Sequence, residues 1–139
     1  ETGLSQFADR EVENLSGGQR QRAWIAMSLA QETDIIMLDE PTTYLDMSYQ
    51  HEVLEVLQKL NRTKNITVVI VLHELNNACK FADNIIALKD GKIICEGKPL
   101  DVINRENLKE IYGINANLQS SENGEYPICM EYELLREDS

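Results

Sequence analysis

The sequence predicts an α/β fold: a partial parallel sheet with flanking helices, followed by carboxyl-terminal β-hairpins. Two short runs, Ile35-Ile36-Met37-Leu38 and Thr67-Val68-Val69-Ile70-Val71-Leu72, are continuously apolar or β-branched, the pattern of strands buried on both faces. Between them Val53, Val56, Leu57 and Leu60 recur at helical spacing, so strand, helix and strand form a right-handed parallel crossover. Further on, Asp90-Gly91 lies between Ile85-Ile86-Ala87-Leu88 and Ile93-Ile94-Cys95, a strong signal for a type I′ hairpin over residues 84–96.

Each element can be justified in turn. Residues 1–14 read as a lead-in with few apolar contacts (Gly3-Leu4, Phe7-Ala8) and no initiating methionine, as in a fragment whose beginning was cut away. Ser16 followed by Gln19 is a capping box that opens a helix. That helix places Ala23, Ala26, Met27 and Ala30 on one small-residue face suited to close packing on a sheet, with Arg20 and Arg22 on a solvated face. After the first strand, Pro41 to Asp46 form a turn, and Asp46 or Ser48 caps the next helix, which ends in the polar cluster Asn61 to Asn65. Past the second strand, Leu75, Ala78, Cys79 and Ala82 mark a helix with Cys79 in its core face. Two short helices follow the hairpin, Pro99 to Ile103 and Asn104 to Tyr112, the latter capped by Asn104 and stopped by Gly113. Asn115 to Glu133 pair as a second hairpin across Glu122-Asn123-Gly124 with Ile128 and Met130 facing in, and Glu131 to Ser139 fray.

Composition excludes several functions. The chain has 139 residues, 42% of them hydrophobic, which is enough for a packed core and argues against a disordered tail. Its 24 acidic against 13 basic residues give a net charge of −11, the wrong sign for nucleic acid or for anionic lipid. No apolar run approaches a membrane span and Glu1-Thr2-Gly3 opens no signal segment, so the chain reads as soluble and cytoplasmic, without direct membrane insertion. Cys79, Cys95 and Cys129 are odd in number and lack a C-x-x-C pair, so they read as buried small hydrophobes rather than a disulfide framework or zinc site.

The chemistry-bearing residues fall in one block. At the helix opened by Ser16, Gly17 and Gly18 leave the first N–H groups uncovered, and these donors together with the helix dipole attract an anion such as phosphate. A lone Ser-Gly-Gly-Gln is an ordinary capped start; its weight comes from the carboxylates that follow. Asp39 and Glu40 end the first strand, where ligands of open α/β sheets collect. In a phosphate-binding ATPase the first acid, Asp39, holds Mg²⁺ through its water shell, and the second, Glu40, polarises the attacking water. His73 ends the second strand at the same sheet edge, where an imidazole can bond a phosphoryl oxygen and orient water. Alone, it would be a solvated loop residue. Gly91 to Gly97-Lys98 imitates a phosphate loop, but it has five intervening residues instead of four, and Pro99 stands where Ser or Thr is required.

Leu15-Ser16-Gly17-Gly18-Gln19, Leu38-Asp39-Glu40-Pro41 and Tyr44-Leu45-Asp46, in this order and spacing, resemble the signature loop, Walker B strand and D-loop of the ATP-binding cassette family. The resemblance implies a partial P-loop NTPase-like sheet. It covers nearly all of residues 1–139 but corresponds to the carboxyl-terminal part of one ATPase domain, with the Walker A half absent. It implies ATP and Mg²⁺ as cofactors, His73 as the switch histidine, and a dimer with a second ATPase subunit. Ser16, Gly17, Gly18 and Gln19 would touch the γ-phosphate held by the partner, Asp39, Glu40 and His73 would serve their own nucleotide, and Asp46 would tie the two sites together. Asp39 to Asp46, with Gly91-Lys92 to Gly97-Lys98-Pro99, looks most like the ATPase subunits of importers for iron–siderophores, haem or cobalamin. Such subunits sit on the inner face of the cell membrane, held by transmembrane permease subunits.

Two other classes of function are open to such a sequence. A soluble ATPase of the same superfamily acting on DNA or ribosomes would be expected to show a coiled-coil insertion, a duplicated cassette or a basic surface, and this acidic chain shows none. A nucleotide-free interaction module is the remaining reading, since no G-x-x-x-x-G-K-[ST] occurs in the sequence. Because phosphate affinity in such sites comes largely from that loop and its lysine, the 139-residue chain alone is expected to bind ATP·Mg weakly or not at all. Titration with a fluorescent ATP analogue checks this, and low-micromolar affinity of the monomer would overturn it.

Overall fold

In the computed structural model the chain divides into two compact units, residues 1–73 and 74–139, and the structure describes residues 10–30, 33–43 and 45–135. Each unit has its own core.

The described part of the first unit comprises a short 3₁₀ turn, Val12–Asn14, followed by α1 (Gly17–Leu29), β1 (Ile35–Asp39), α2 (Met47–Lys64) and β2 (Thr67–Val71). β1 and β2 pair in parallel, with Ile35 opposite Thr67 and Asp39 opposite Val71, as the crossover pattern predicts. α2 ends where the polar cluster predicted: Asn65 takes a left-handed conformation as C-cap, and the Asn61 amide donates to the Ile66 carbonyl at 2.8 Å. One face of the sheet carries Ile36, Leu38, Val68 and Ile70 into a core completed by Ile25 of α1 and by Val53, Leu57 and Leu60 of α2. Leu54 is also buried, while Val56 is only partly so, which broadens the apolar stripe read from the sequence.

Three expectations about this unit need correction. The strands are not buried on both faces. Ile35, Met37, Val69 and Val71 are 57, 76, 44 and 48% exposed, because pleating turns every second side chain away from the helices and no described residue of this unit covers that side. The packed face of α1 is not Ala23, Ala26, Met27 and Ala30. It centres on fully buried Ile25, which packs in one cluster with Ile36 of β1 and Val53, Leu57 and Leu60 of α2, while Met27 is exposed. Arg22 is not simply solvated either: its guanidinium pairs with Glu52 of α2 at 2.8 Å. Arg20 donates to the Leu15 carbonyl.

The second unit comprises α3 (Leu75–Phe81), β3 (Ile85–Lys89), β4 (Lys92–Gly97), α4 (Pro99–Val102), α5 (Arg105–Tyr112), β5 (Ile114–Ser120) and β6 (Pro127–Leu134). β3 and β4 form the expected hairpin, with Asp90 at φ 49° and Gly91 at φ 73°, the two positive values that a type I′ turn demands. Asn104 caps α5 through the Asn107 amide, and Gly113 at φ 66° ends it. Leu108, Cys79, Val102, Ile103, Ile114 and Ala116 make the core, and the Asn76 amide ties α3 to β6 by exchanging two hydrogen bonds with the Cys129 backbone. Burial pushes the Cys79 thiol up to about 11, consistent with a core residue; Cys95 and Cys129 are only partly buried, so the reading of all three as buried is too broad.

The second hairpin, β5 with β6, forms, but its details differ from expectation. A bulge between Asn117 and Leu118 pairs Asn117 with Glu131 and Leu118 with Cys129, which leaves Met130 as the extra, exposed residue and turns Cys129 toward the core instead. Nor do residues 131–134 fray: they lie within β6, held by cross-strand bonds, whereas 136–139 lie outside the described residues, as do 1–9 of the lead-in. No described helix is long and apolar enough to cross a membrane.

The exposed face of β1 and β2 sets an expectation for the isolated chain. Apolar surface on a two-stranded sheet promotes association, so the 139-residue chain is expected to self-associate at high concentration, and Met37→Lys with Val69→Lys to reduce this without unfolding it. Light scattering of both proteins is the check; a monodisperse unsubstituted monomer would count against it.

Candidate functional site

The site lies in the first unit, at the carboxyl end of the parallel pair and the adjoining amino-terminal turns of α1 and α2. β1 delivers Asp39 and then Glu40; β2, running the same way, delivers His73 two residues beyond Val71. Residues 33 apart in sequence thereby meet: His73 Nε2 lies 2.6 Å from Glu40 Oε1, and the Thr43 hydroxyl donates to Glu40 Oε2 at 3.1 Å. The His73 bond first, then that from Thr43, hold the Glu40 carboxyl below its usual range. With Glu40 ionised, the shared proton belongs on His73 Nε2, which fixes the tautomer. Both side chains remain open to solvent. Glu40 sits at φ 45°, a left-handed conformation that costs a non-glycine residue roughly 1–2 kcal/mol. The kink turns the chain from the strand direction into the turn at Pro41–Thr43.

Asp39 is exposed at the end of β1. Among the described residues no three His, Cys, Asp or Glu side chains gather as a metal cage. Mg²⁺ ordinarily takes one or two carboxylates and completes its shell with water and substrate phosphate. An exposed carboxylate at this strand end fits that mode of binding.

The helix start at Ser16 has the predicted box. Ser16 Oγ accepts from the Gln19 amide at 3.3 Å, and Gln19 Oε1 accepts from the Ser16 amide at 3.0 Å. The Gln19 side-chain oxygen Oε1 is thus committed to the cap, and the exposed residues at the helix start are Ser16 and Gly17. Gly18 is buried for a reason the motif does not reveal: a Cβ there would stand 2.8 Å from the Tyr49 ring, whereas one at Gly17 would meet only Leu45, at 3.6 Å.

Asp46 caps α2, its Oδ1 accepting from the Tyr49 amide at 3.1 Å and from the Ser48 hydroxyl at 2.8 Å. These two bonds, the backbone one first, lower its carboxyl pKa. Of the two candidate caps, Asp46 is the cap and Ser48 its support. Tyr44, of the same motif, lies outside the described residues. Sequence reasoning passed over Thr43, Tyr49 and Gln50. The available signal was position: Thr43 stands three residues past Glu40, and Tyr49 and Gln50 occupy the first turn after the cap.

The two glycines predict opposite outcomes. Gly17→Ala adds an ordinary contact and some helix propensity, so it is expected to be neutral or to stabilise by up to about 1 kcal/mol. Gly18→Ala gains the same propensity but must displace the Tyr49 ring, an overpacking cost of about 1–3 kcal/mol, leaving a net loss of about 1 kcal/mol. Urea midpoints of the two variants check the sign of each.

Comparison with known proteins gives a consistent result. The family described as ABC transporter matches residues 1–43. The chain is 50% identical over 131 residues to the petrobactin import ATP-binding protein FpuD of Bacillus anthracis, covering 94% of this chain and 48% of that protein. It is 45% identical over 138 residues to the iron(3+)-hydroxamate import ATP-binding protein FhuC of Bacillus subtilis, covering 99% and 51%. Among solved structures, an inward-facing metal-chelate type ABC transporter superposes with a TM-score of 0.81 at 31% identity, over 91% of this chain and 51% of that one. A dimeric ATP-binding cassette bound to ADP and phosphate superposes at 0.59 with 42% identity, over 68% and 40%. The chain spans about half the length of the curated relatives it matches. With its α/β fold and the order of its motifs, it is similar to ATP-binding proteins of the ABC transporter family, and the relatives it matches include those of siderophore and iron-chelate import.

Proposed function

We propose that this chain supplies the water-polarising and signature half of an ATPase subunit that energises import of an iron–siderophore or related metal chelate. The observation that carries the reading is the Glu40–His73 pair at the shared strand edge, 2.6 Å apart, beside an exposed Asp39. The identities to petrobactin and iron-hydroxamate import proteins support the class of cargo.

Glu40 is the group that acts on water. Its lowered pKa makes it a weak base at rest, suited to orienting and polarising a water rather than removing its proton before the phosphoryl group begins to move. His73 aims the carboxylate through Nε2 and supplies a donor beside the developing charge. Mg²⁺ held by Asp39 through water would offset charge on the ATP phosphates. Ser16 and Gly17 present the exposed helix start, whose N–H donors and dipole suit a phosphate brought by a second subunit; Gly18 and Gln19 shape that start, by seating Tyr49 and by closing the cap. Asp46 holds the amino-terminal end of α2 at the same edge, where it would link the two sites of a dimer. The subunit would work on the inner face of the membrane through transmembrane permease partners. The acidic composition supports attachment through protein rather than through lipid.

The test is Glu40→Gln in the full-length protein. Size and hydrogen bonding are kept while the carboxylate is lost, so hydrolysis is expected to fall by about 10² or more, the scale of general-base catalysis. ATP binding should survive and the ATP-bound dimer persist, whereas a bulky residue in place of Ser16 should block dimer closure and leave one-subunit binding intact. Steady-state phosphate release with size-exclusion in ATP provides the readout. Near-normal turnover by Glu40→Gln would refute the assignment.

A further inference from the structure

Between β1 and α2 the chain must pass from Glu40, in a left-handed conformation, to Asp46, the cap of α2. Among the described residues, the Thr43 amide donates to the Glu40 carbonyl and the Leu45 amide to the Thr42 carbonyl, both at 3.2 Å. Further restraint comes from α2. The Gln50 carboxamide Nε2 donates to the Leu45 carbonyl at 3.1 Å and to the Thr42 carbonyl at 3.4 Å, so one side chain grips the segment at two points. Gln50 is itself fixed, since its amide donates to the Asp46 carbonyl at 2.9 Å in the first turn of the helix. Thr43, one residue past a gripped carbonyl, aims its hydroxyl at Glu40 Oε2.

We propose that Thr43 and Gln50 are positioning residues for Glu40, Thr43 by holding its second carboxylate oxygen and Gln50 by fixing the turn from which Thr43 reaches. Two bonds then define the carboxylate plane, one to each oxygen, from His73 after β2 and from Thr43 in the turn. A carboxylate held at one oxygen only can rotate about its last torsion, which is broad and soft. Held at both, it presents one orientation to water. Gln50 acts in this scheme through the Thr42 and Leu45 carbonyls. The inference rests on the reading of Glu40 as the group that polarises water.

The experiment uses the full-length protein and three variants. Thr43→Val keeps shape and removes the hydroxyl, Thr43→Ser keeps the hydroxyl, and Gln50→Met keeps length and removes both donors. Misplacement of a catalytic group by about an ångström can cost ~10² in rate, so Thr43→Val and Gln50→Met are expected to lower kcat about ten-fold or more with KM for ATP within about two-fold, the mark of an interaction that matters in the transition state. Thr43→Ser should recover most of the loss. A second readout needs no nucleotide: in Gln50→Met the Thr43 and Leu45 amides should exchange hydrogen about ten-fold faster or more, as local opening becomes easier, while those of Val53 to Leu60 keep their protection. A structural defect would instead raise exchange along α2 and shift the melting temperature. Wild-type protein without turnover would overturn the ATPase reading and this inference with it. Turnover in the wild type with kcat retained in both Thr43→Val and Gln50→Met would overturn this inference alone.

Discussion

The parallel pairing of β1 with β2 is the constraint on which the site depends. Because both strands run the same way, their carboxyl ends fall at one edge, and Glu40 and His73 meet although α2 lies between them in sequence. An antiparallel pair would place the two residues at opposite ends of strands some 16 Å long, by the rise of about 3.3 Å per residue over five residues. The parallel arrangement requires a crossover long enough to return the chain to its starting edge. The 18 residues of α2 provide this, at about 1.5 Å each, and bury Val53, Leu57 and Leu60 on the way. The hydrophobic core and the geometry of the site are consequences of the same helix.

The first turn of α2 then connects the parts of the site to one another. Asp46 accepts the Tyr49 amide, Tyr49 packs its ring over Gly18 at the start of α1, and Gln50 grips the carbonyls of the turn that follows Glu40. A negative side chain at this end also suits the helix dipole. Displacement at either helix start is therefore felt at the other through Tyr49 and Gly18, and at Glu40 through Gln50 and Thr43. Polar groups do this work at a partly exposed surface, which keeps the site open to water while fixing its backbone.

The second unit follows a separate logic. Its sheets are local hairpins, and Leu108, Cys79 and Ile114 pack α3, α4, α5 and β5 into a core of its own. The buried Ser121 hydroxyl accepts the amides of Glu125 and Tyr126 and so closes the turn between β5 and β6. None of the residues assigned to the phosphate chemistry lies in this unit.

The sequence by itself determined what depends on near neighbours. The capping box at Ser16, the Asp90-Gly91 turn, the Asn104 cap, the Gly113 stop and the strand–helix–strand order are set by local dihedral preference and local hydrogen bonding, and each was legible. Asp39, Glu40 and His73 were legible as candidates because chain order places them at strand ends. Tertiary structure decided what depends on which side chain meets which. Apolar runs do not state whether one face or two will be covered, so Met37 and Val69 read as core yet are exposed. Helical spacing could not rank Ile25 above Ala23, Ala26 and Met27, because the choice of face is made by the volume that β1 and α2 leave open. The bulge that turned Met130 outward arose from pairing with β5, the contact of the Tyr49 ring with Gly18 exists only once α2 is laid against α1, and the Glu40–His73 bond only once β1 is paired with β2. Long-range contacts are selected by complementary shape and by satisfaction of buried polar groups, quantities that no single segment of the sequence carries.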